Sequence, residues 1–136
     1  MNIKKVLSSI LAVIGLSTGC TAQKMVTTLP PAEFADAIKS NISAVVLDVR
    51  TQEEYEAGHL EDALLLDYLQ EETFNQAITN LDANKTYYVY CRSGRRSHEA
   101  AVKMQDRGLN VVDMKGGYLA WTAKGMPTTT TTNTIK

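Results

Sequence analysis

Cys91 begins the run Cys91-Arg92-Ser93-Gly94-Arg95-Arg96-Ser97, directly after the aromatic and apolar stretch Tyr87-Tyr88-Val89-Tyr90. A thiol followed by three arginines, a glycine and two serines is a set of groups that suits an anion. A loop that leaves a strand and enters a helix turns several backbone N–H groups toward its own centre, so its first residue sits in a positive cup. The guanidinium groups of Arg92, Arg95 and Arg96 add full charges, and the thiolate they favour is the nucleophilic form of cysteine. The pattern therefore points to nucleophilic chemistry at sulfur. Arg92 and Arg95 are candidates for gripping an oxyanion by paired hydrogen bonds, while Arg96 can either bind the anion or turn back and fix the loop. Ser93 and Ser97 can donate to a bound anion or cap the helix that follows, and for Ser97 the cap is the better assignment.

The elements that must position this loop alternate along the chain. Pro30-Pro31 leads into a helix with Phe34, Ala35 and Ile38 on one face. Ala44–Val49 is an apolar run of strand length, of the kind buried on both faces of a parallel sheet. Thr51-Gln52-Glu53-Glu54 has the form of a capping box, with Gly58 closing the short helix, and Ala63–Leu66 follows as a strand. Phe74, Ala77, Ile78 and Leu81 recur at helical spacing before the Tyr87–Cys91 strand. A helix over Ser97–Arg107 stops at Gly108, Val111-Val112 supplies a short strand, and Tyr118–Trp121 forms a last helix ended by Gly125 and Pro127. This order implies an α/β domain with a parallel sheet.

The first residues read as a targeting segment rather than as part of that domain. Lys4 and Lys5 precede an apolar stretch from Val6 to Leu16 that is too short to span a bilayer, and small residues run on to Cys20. Ser17-Thr18-Gly19-Cys20 resembles the lipobox of bacterial lipoproteins, with serine where leucine is usual. That resemblance implies cleavage before Cys20, lipidation of Cys20, and a protein exported to the bacterial cell envelope or periplasm and anchored there. The alternative is an ordinary secretory signal cut near Ala22.

Of the 136 residues, 117 remain once residues 1–19 are removed, which is the length of one domain. Residues 20–29 are then an N-terminal tether, 30–126 the domain, and 127–136 a Thr-rich, disordered tail. Without Lys4 and Lys5 the basic residues number 12 against 15 acidic ones, so nucleic acid is not an expected partner. The chain has two cysteines. A lipidated Cys20 leaves Cys91 with no intramolecular disulfide partner. Two separated histidines and one available cysteine lack structural-zinc spacing, and no glycine fingerprint for a nucleotide occurs, so no cofactor is expected.

Four separated motifs then carry a resemblance: Asp48-Val49-Arg50-Thr51 with Glu54-Tyr55, Gly58-His59-Leu60 with Ala63, the loop from Cys91 to Ser97, and Gly116-Gly117-Tyr118-x-Ala120-Trp121. In this order, over about residues 30 to 126, the chain resembles the rhodanese-homology domains, the single-domain sulfurtransferases. The resemblance implies a three-layer rhodanese-like fold, with a roughly five-stranded parallel sheet, helices on both faces, and a catalytic cysteine at the base of the loop. Four residues separate Cys91 from Arg96. By the same resemblance, this shorter ring suits a persulfide and the outer sulfur of thiosulfate, whereas the longer ring of related phosphatases suits phosphate or arsenate.

The function expected is transfer of a sulfane sulfur from a small donor such as thiosulfate to a thiol or other thiophilic acceptor, an envelope protein included, through a Cys91 persulfide. A non-catalytic persulfide or sulfide carrier, or a redox partner module, is the alternative; a phosphatase or arsenate reductase fits less well. Asp48 and Arg50 are supporting residues, placed either to orient the loop by an ion pair or to stabilise the fold away from it. His59 is expected to be structural, His98 a solvated residue in the first helical turn, and Tyr118 and Trp121 part of the core. The eight acidic residues between Glu53 and Glu72 read first as a solvated face.

Overall fold

A computed structural model describes residues 25–132 of the chain. The sheet strands are β1 (Thr27–Leu29), β2 (Ala44–Asp48), β3 (Leu64–Leu65), β4 (Thr86–Tyr90) and β5 (Asn110–Met114). They are all parallel and lie in the order β1-β5-β4-β2-β3. The helices are α1 (Pro31–Lys39), α2 (Gln52–Ala57), α3 (Glu71–Thr79), α4 (Arg95–Asp106) and α5 (Gly117–Ala123). The three-layer α/β architecture expected from the sequence is the one observed.

Strand β4 lies at the middle of the sheet, and its alternation decides which way Cys91 faces. Tyr87, Val89 and Cys91 pack with Phe74, Ile78, Ala100, Ala101 and Met104, on the face covered by α3 and α4. Tyr88 and Tyr90 pack with Phe34, Tyr55, Met114 and Trp121 on the opposite face. Because side chains alternate with period two, the apolar run that fills both cores also aims the cysteine under α4. The loop that carries it leaves the carboxyl end of a central strand, where open α/β sheets place their ligand crevices.

Three boundaries differ from the sequence reading. Residues 27–29, expected within a tether, form the edge strand β1, registered Thr27 to Val112 and Leu29 to Met114. Helix α4 starts at Arg95 rather than Ser97, because Gly94 takes a left-handed conformation (φ 106°) and so serves as the N-cap. The segment from Pro127 to Thr132, expected to be a disordered tail, crosses the domain as a strap. The Trp121 indole N–H donates to the Pro127 carbonyl at 2.9 Å. His59 and Thr129 exchange backbone hydrogen bonds at 2.9 and 2.8 Å. The two ring nitrogens of His59 lie 2.8 Å from the Tyr55 carbonyl and 2.9 Å from the Thr131 carbonyl, with the imidazole stacked on the Tyr55 ring. His59 is thus a fully enclosed structural residue, as expected, and it holds a segment whose own side chains give no sign of being held. The expected signal at 1–19 and lipidation site at Cys20 lie outside the described residues.

Each net hydrogen bond of this kind is worth about 1 kcal/mol. A chain ended after Met126 should therefore lose on the order of 2 kcal/mol in a urea titration followed by Trp121 fluorescence. An unchanged midpoint would show that the strap contributes nothing.

Candidate active site

The cup around Cys91 is shaped from outside by the start of α5. The N–H groups of Tyr118 and Leu119 donate to the carbonyls of Cys91 and Arg92, at 2.8 and 3.0 Å. In a trans peptide the N–H points opposite to the C=O, so drawing these two carbonyls toward α5 turns the Arg92 and Ser93 N–H groups the other way. Gly117 makes the approach possible. A Cβ there would lie 2.6 Å from the Cys91 and Arg92 carbonyl oxygens, and its φ of 61° is in the region glycine favours. The remaining amide is seen directly: Gly94 N–H donates to Cys91 Sγ at 3.1 Å.

Cys91 is 1% exposed and is a free thiol at the bottom of the loop. Arg92, Ser93 and Arg95 stand exposed around it. Arg96 does not join them. Its guanidinium makes two hydrogen bonds to the Glu54 carboxylate, at 2.8 and 3.0 Å, which assigns it the role of fixing the loop rather than binding an anion. The same Glu54 completes the capping box of α2, accepting from the Thr51 N–H and hydroxyl at 3.2 and 3.1 Å while the Glu54 N–H donates to Thr51 Oγ1. The hydrogen bonds from Arg96 lower the Glu54 carboxyl to a pKa of about 2 against burial, with further help from Thr51. Arg96 is raised in turn, first by its hydrogen bonds to Glu54. The sequence showed the capping box but not that its carboxylate anchors a loop 42 residues away.

Ser97 is not the helix cap. It lies in the first turn of α4, fully buried, with its hydroxyl donating to the Gly94 carbonyl at 3.3 Å. His98 is exposed over more than half of its side chain, as expected, and its Nδ1 is 4.0 Å from the buried Asp113 carboxylate.

Asp48 and Arg50 form a buried pair behind the cup. Arg50 Nη2 donates to Asp48 Oδ2 at 2.6 Å and to the Gly58 carbonyl at 2.7 Å, and Nε donates to Asp48 Oδ1 at 2.9 Å. Tyr90 donates its hydroxyl proton to the same Asp48 Oδ2 and accepts from the Leu60 N–H. Burial and the charge of Asp48 raise the Tyr90 phenol, which stays protonated. Burial of the Arg50 guanidinium lowers its pKa, but the hydrogen bonds and charge of Asp48 outweigh this and the net shift is upward. The guanidinium carbon lies 4.1 Å from the centre of the Tyr118 ring. Arg50 thus packs against the residue whose N–H holds the Cys91 carbonyl, which makes it a support of the loop rather than a contact of the thiol. Among the described residues no three His, Cys, Asp or Glu side chains group as metal ligands.

A parallel α/β sheet with a free cysteine just past its central strand, under a loop whose Gly94 N–H faces the sulfur, defines an α/β domain with a cysteine-centred loop. The Rhodanese-like domain profile matches residues 30–124, and the chain belongs to that family. It is 26% identical over 104 residues to a protein of Allochromatium vinosum named "Sulfurtransferase", covering 76% of this chain and 94% of the relative. It is 33% identical over 92 residues to "Thiosulfate sulfurtransferase 16, chloroplastic" of Arabidopsis thaliana, covering 60% of this chain and 77% of that one. Its fold is similar to that of a rhodanese-related protein from Thermoplasma volcanium, with a TM-score of 0.67 and 28% identity, covering 77% of this chain and 99% of that structure.

The Glu54 shift carries a sign. A carboxyl whose folded pKa is depressed from 4.5 to about 2 contributes stability that is present above 4.5 and lost as pH falls through 2. The pair is partly exposed, so screening reduces its worth to about 1 kcal/mol. Glu54→Gln should lower the unfolding free energy from urea titration by that amount at pH 7 and by only a small fraction of it at pH 2.5. An equal loss at both pH values would mean that the ion pair is not the cause.

Proposed function

We propose that this domain is a sulfurtransferase that carries a sulfane sulfur on Cys91. The observation that carries the reading is the Gly94 N–H at 3.1 Å from Sγ, inside a loop whose first two carbonyls are held by α5. Oriented amide dipoles stabilise a sulfur anion without reorganising, and they serve a thiolate and a persulfide anion alike. The names of the sulfurtransferase relatives support the same class of reaction.

In the first step the Cys91 thiolate attacks the outer sulfur of a donor such as thiosulfate. A new S–S bond forms, the donor's S–S bond breaks, and its electron pair leaves with sulfite. Arg92 and Arg95, both exposed, are the residues assigned here to hold the sulfonate oxygens by paired hydrogen bonds. In the second step a thiophilic acceptor attacks the terminal sulfur of the persulfide and returns the thiolate. The enzyme stores the transferred group between substrates, so the kinetics are ping-pong. The deep seat of Cys91, 1% exposed, favours a slender terminal atom over a tetrahedral phosphate. The carrier reading uses the same persulfide without turnover.

Thiosulfate should add one sulfur atom to the mass of the purified protein, and Cys91→Ala should remove that gain. A native protein that takes up no sulfur would refute the proposal.

The location proposed rests on the sequence alone: export by the segment from Lys4 to Leu16, then anchoring through a lipidated Cys20 in the bacterial envelope. Among the described residues no helix is long and apolar enough to cross a membrane. Mass spectrometry of the native N-terminus should find a lipid-modified Cys20. An unmodified start at Thr21 or Ala22 would rule the anchor out.

A further inference from the structure

Beyond the cysteine loop itself, positive charge continues onto the turn that leads from β5 into α5. Arg92 and Arg95 stand exposed, and so does Lys115. The two segments abut: a Cβ on Gly94 would lie 3.5 Å from the Gly116 nitrogen and 3.9 Å from the Met114 carbonyl oxygen, the residues on either side of Lys115. Leu119, whose N–H donates to the Arg92 carbonyl at 3.0 Å, is 45% exposed and adds an apolar side chain to the same surface. Residues 91–95 and 115–119 contain no acidic side chain. Among the described residues Arg96 has its carboxylate partner in Glu54, whereas Arg92, Arg95 and Lys115 are in no ion pair.

Carboxylates at this end of the sheet gather on the other side. Helices α2 and α3 follow β2 and β3 and begin with Glu53, Glu54, Glu71 and Glu72. In the strand order β1-β5-β4-β2-β3 the cations come from the segments after β4 and β5, and these acids from the segments after β2 and β3. Glu33 in the first turn of α1 and Glu99, one turn along α4 from Arg95, are the exceptions on the cationic side. A helix dipole favours acids in the first turn, which gives those on α2 and α3 a local reason; Arg95, in the first turn of α4, stands against it. Thiosulfate needs no more than the two loop arginines, so Lys115 and Leu119 are left unused by the first step. A planar anionic bilayer would meet both halves of this end at once and be repelled by the acidic one. A protein segment is narrow enough to follow the cationic half alone.

We propose that the surface formed by Arg92, Arg95, Lys115 and Leu119 docks an acidic segment of a protein that carries the acceptor thiol. The proposal rests on the sulfurtransferase reading and names the acceptor in it. The docked thiolate attacks the terminal sulfur of the Cys91 persulfide. The new S–S bond makes a persulfide on the acceptor, the old one breaks, and its electron pair returns to Cys91 as thiolate, so no outside oxidant or reductant takes part. Opposite charge steers such an encounter and raises its rate, an effect that salt suppresses.

Two probes read docking and transfer separately. The first is a dye-labelled peptide of glutamates and leucine around one serine, titrated by fluorescence anisotropy against the full chain carrying Cys91→Ser. It should bind more tightly than its counterpart with lysines for the glutamates, and Lys115→Glu, Leu119→Ser or added salt should weaken it. The second is the acidic peptide with cysteine for the serine, offered to protein loaded with sulfur from thiosulfate. Lys115→Glu should slow this transfer roughly tenfold at low ionic strength. Loading from thiosulfate and transfer to 2-mercaptoethanol, a neutral thiol, should not change in that variant. Equal binding of the two peptides, or a transfer rate unmoved by Lys115→Glu, overturns the proposal. So does Lys115-dependent binding to vesicles of phosphatidylcholine with phosphatidylglycerol in place of the peptide, which would assign the surface to lipid. Charge-selective binding by a protein that takes up no sulfur would support docking while refuting the transferase reading, and sulfur uptake without charge-selective binding would do the reverse.

Discussion

The site depends on two hydrogen bonds that do not touch the sulfur. By donating to the carbonyls of Cys91 and Arg92, the first amides of α5 fix the rotation of two peptide planes, and with it the direction in which the following N–H groups point. An anion cup made of backbone has no side chain that can be tuned to improve it; its quality is the precision of those peptide orientations. This accounts for the demand for glycine at position 117, where a Cβ would meet the two carbonyl oxygens. It also accounts for the stack of supports behind it: Tyr118 on Arg50, Arg50 on Asp48, and Asp48 accepting from Tyr90 of the strand that ends in the cysteine.

The arginines divide by partner rather than by position in the loop. Arg96 is neutralised by a carboxylate that is already committed to a helix cap, so a local device at α2 and the loop at α4 share one group. Arg92 and Arg95 remain exposed at the rim. Positive charge is therefore offered at the mouth, and the interior of the cup is left to dipoles. In the proposed mechanism that division separates capture of an incoming anion from stabilisation of the sulfur, two tasks with different geometric tolerance.

Much of this was legible in the chain. The alternation of β4, the capping box at Thr51 and Glu54 and the glycines of the last helix turn are local patterns with local causes, and they led to the observed elements. What escaped was non-local. Strand β1 has only three residues, two of them exposed threonines, and is a strand because β5 offers it a free edge. The strap from Pro127 is bound through its backbone carbonyls, which composition does not reveal. Strand β5 reads as short because Asp113 interrupts its apolar run. Ser97 itself was misassigned as a cap because a left-handed glycine starts the helix two residues earlier than a serine signal would.

The parallel edge strand also fixes where the described chain enters the sheet. Thr27 pairs with Val112, which is itself in register with Tyr88 of β4. Cys91 lies three residues further along, just past the carboxyl end of β4. Strand β1 thus runs in the same direction as β4, toward the edge of the sheet from which the Cys91 loop departs.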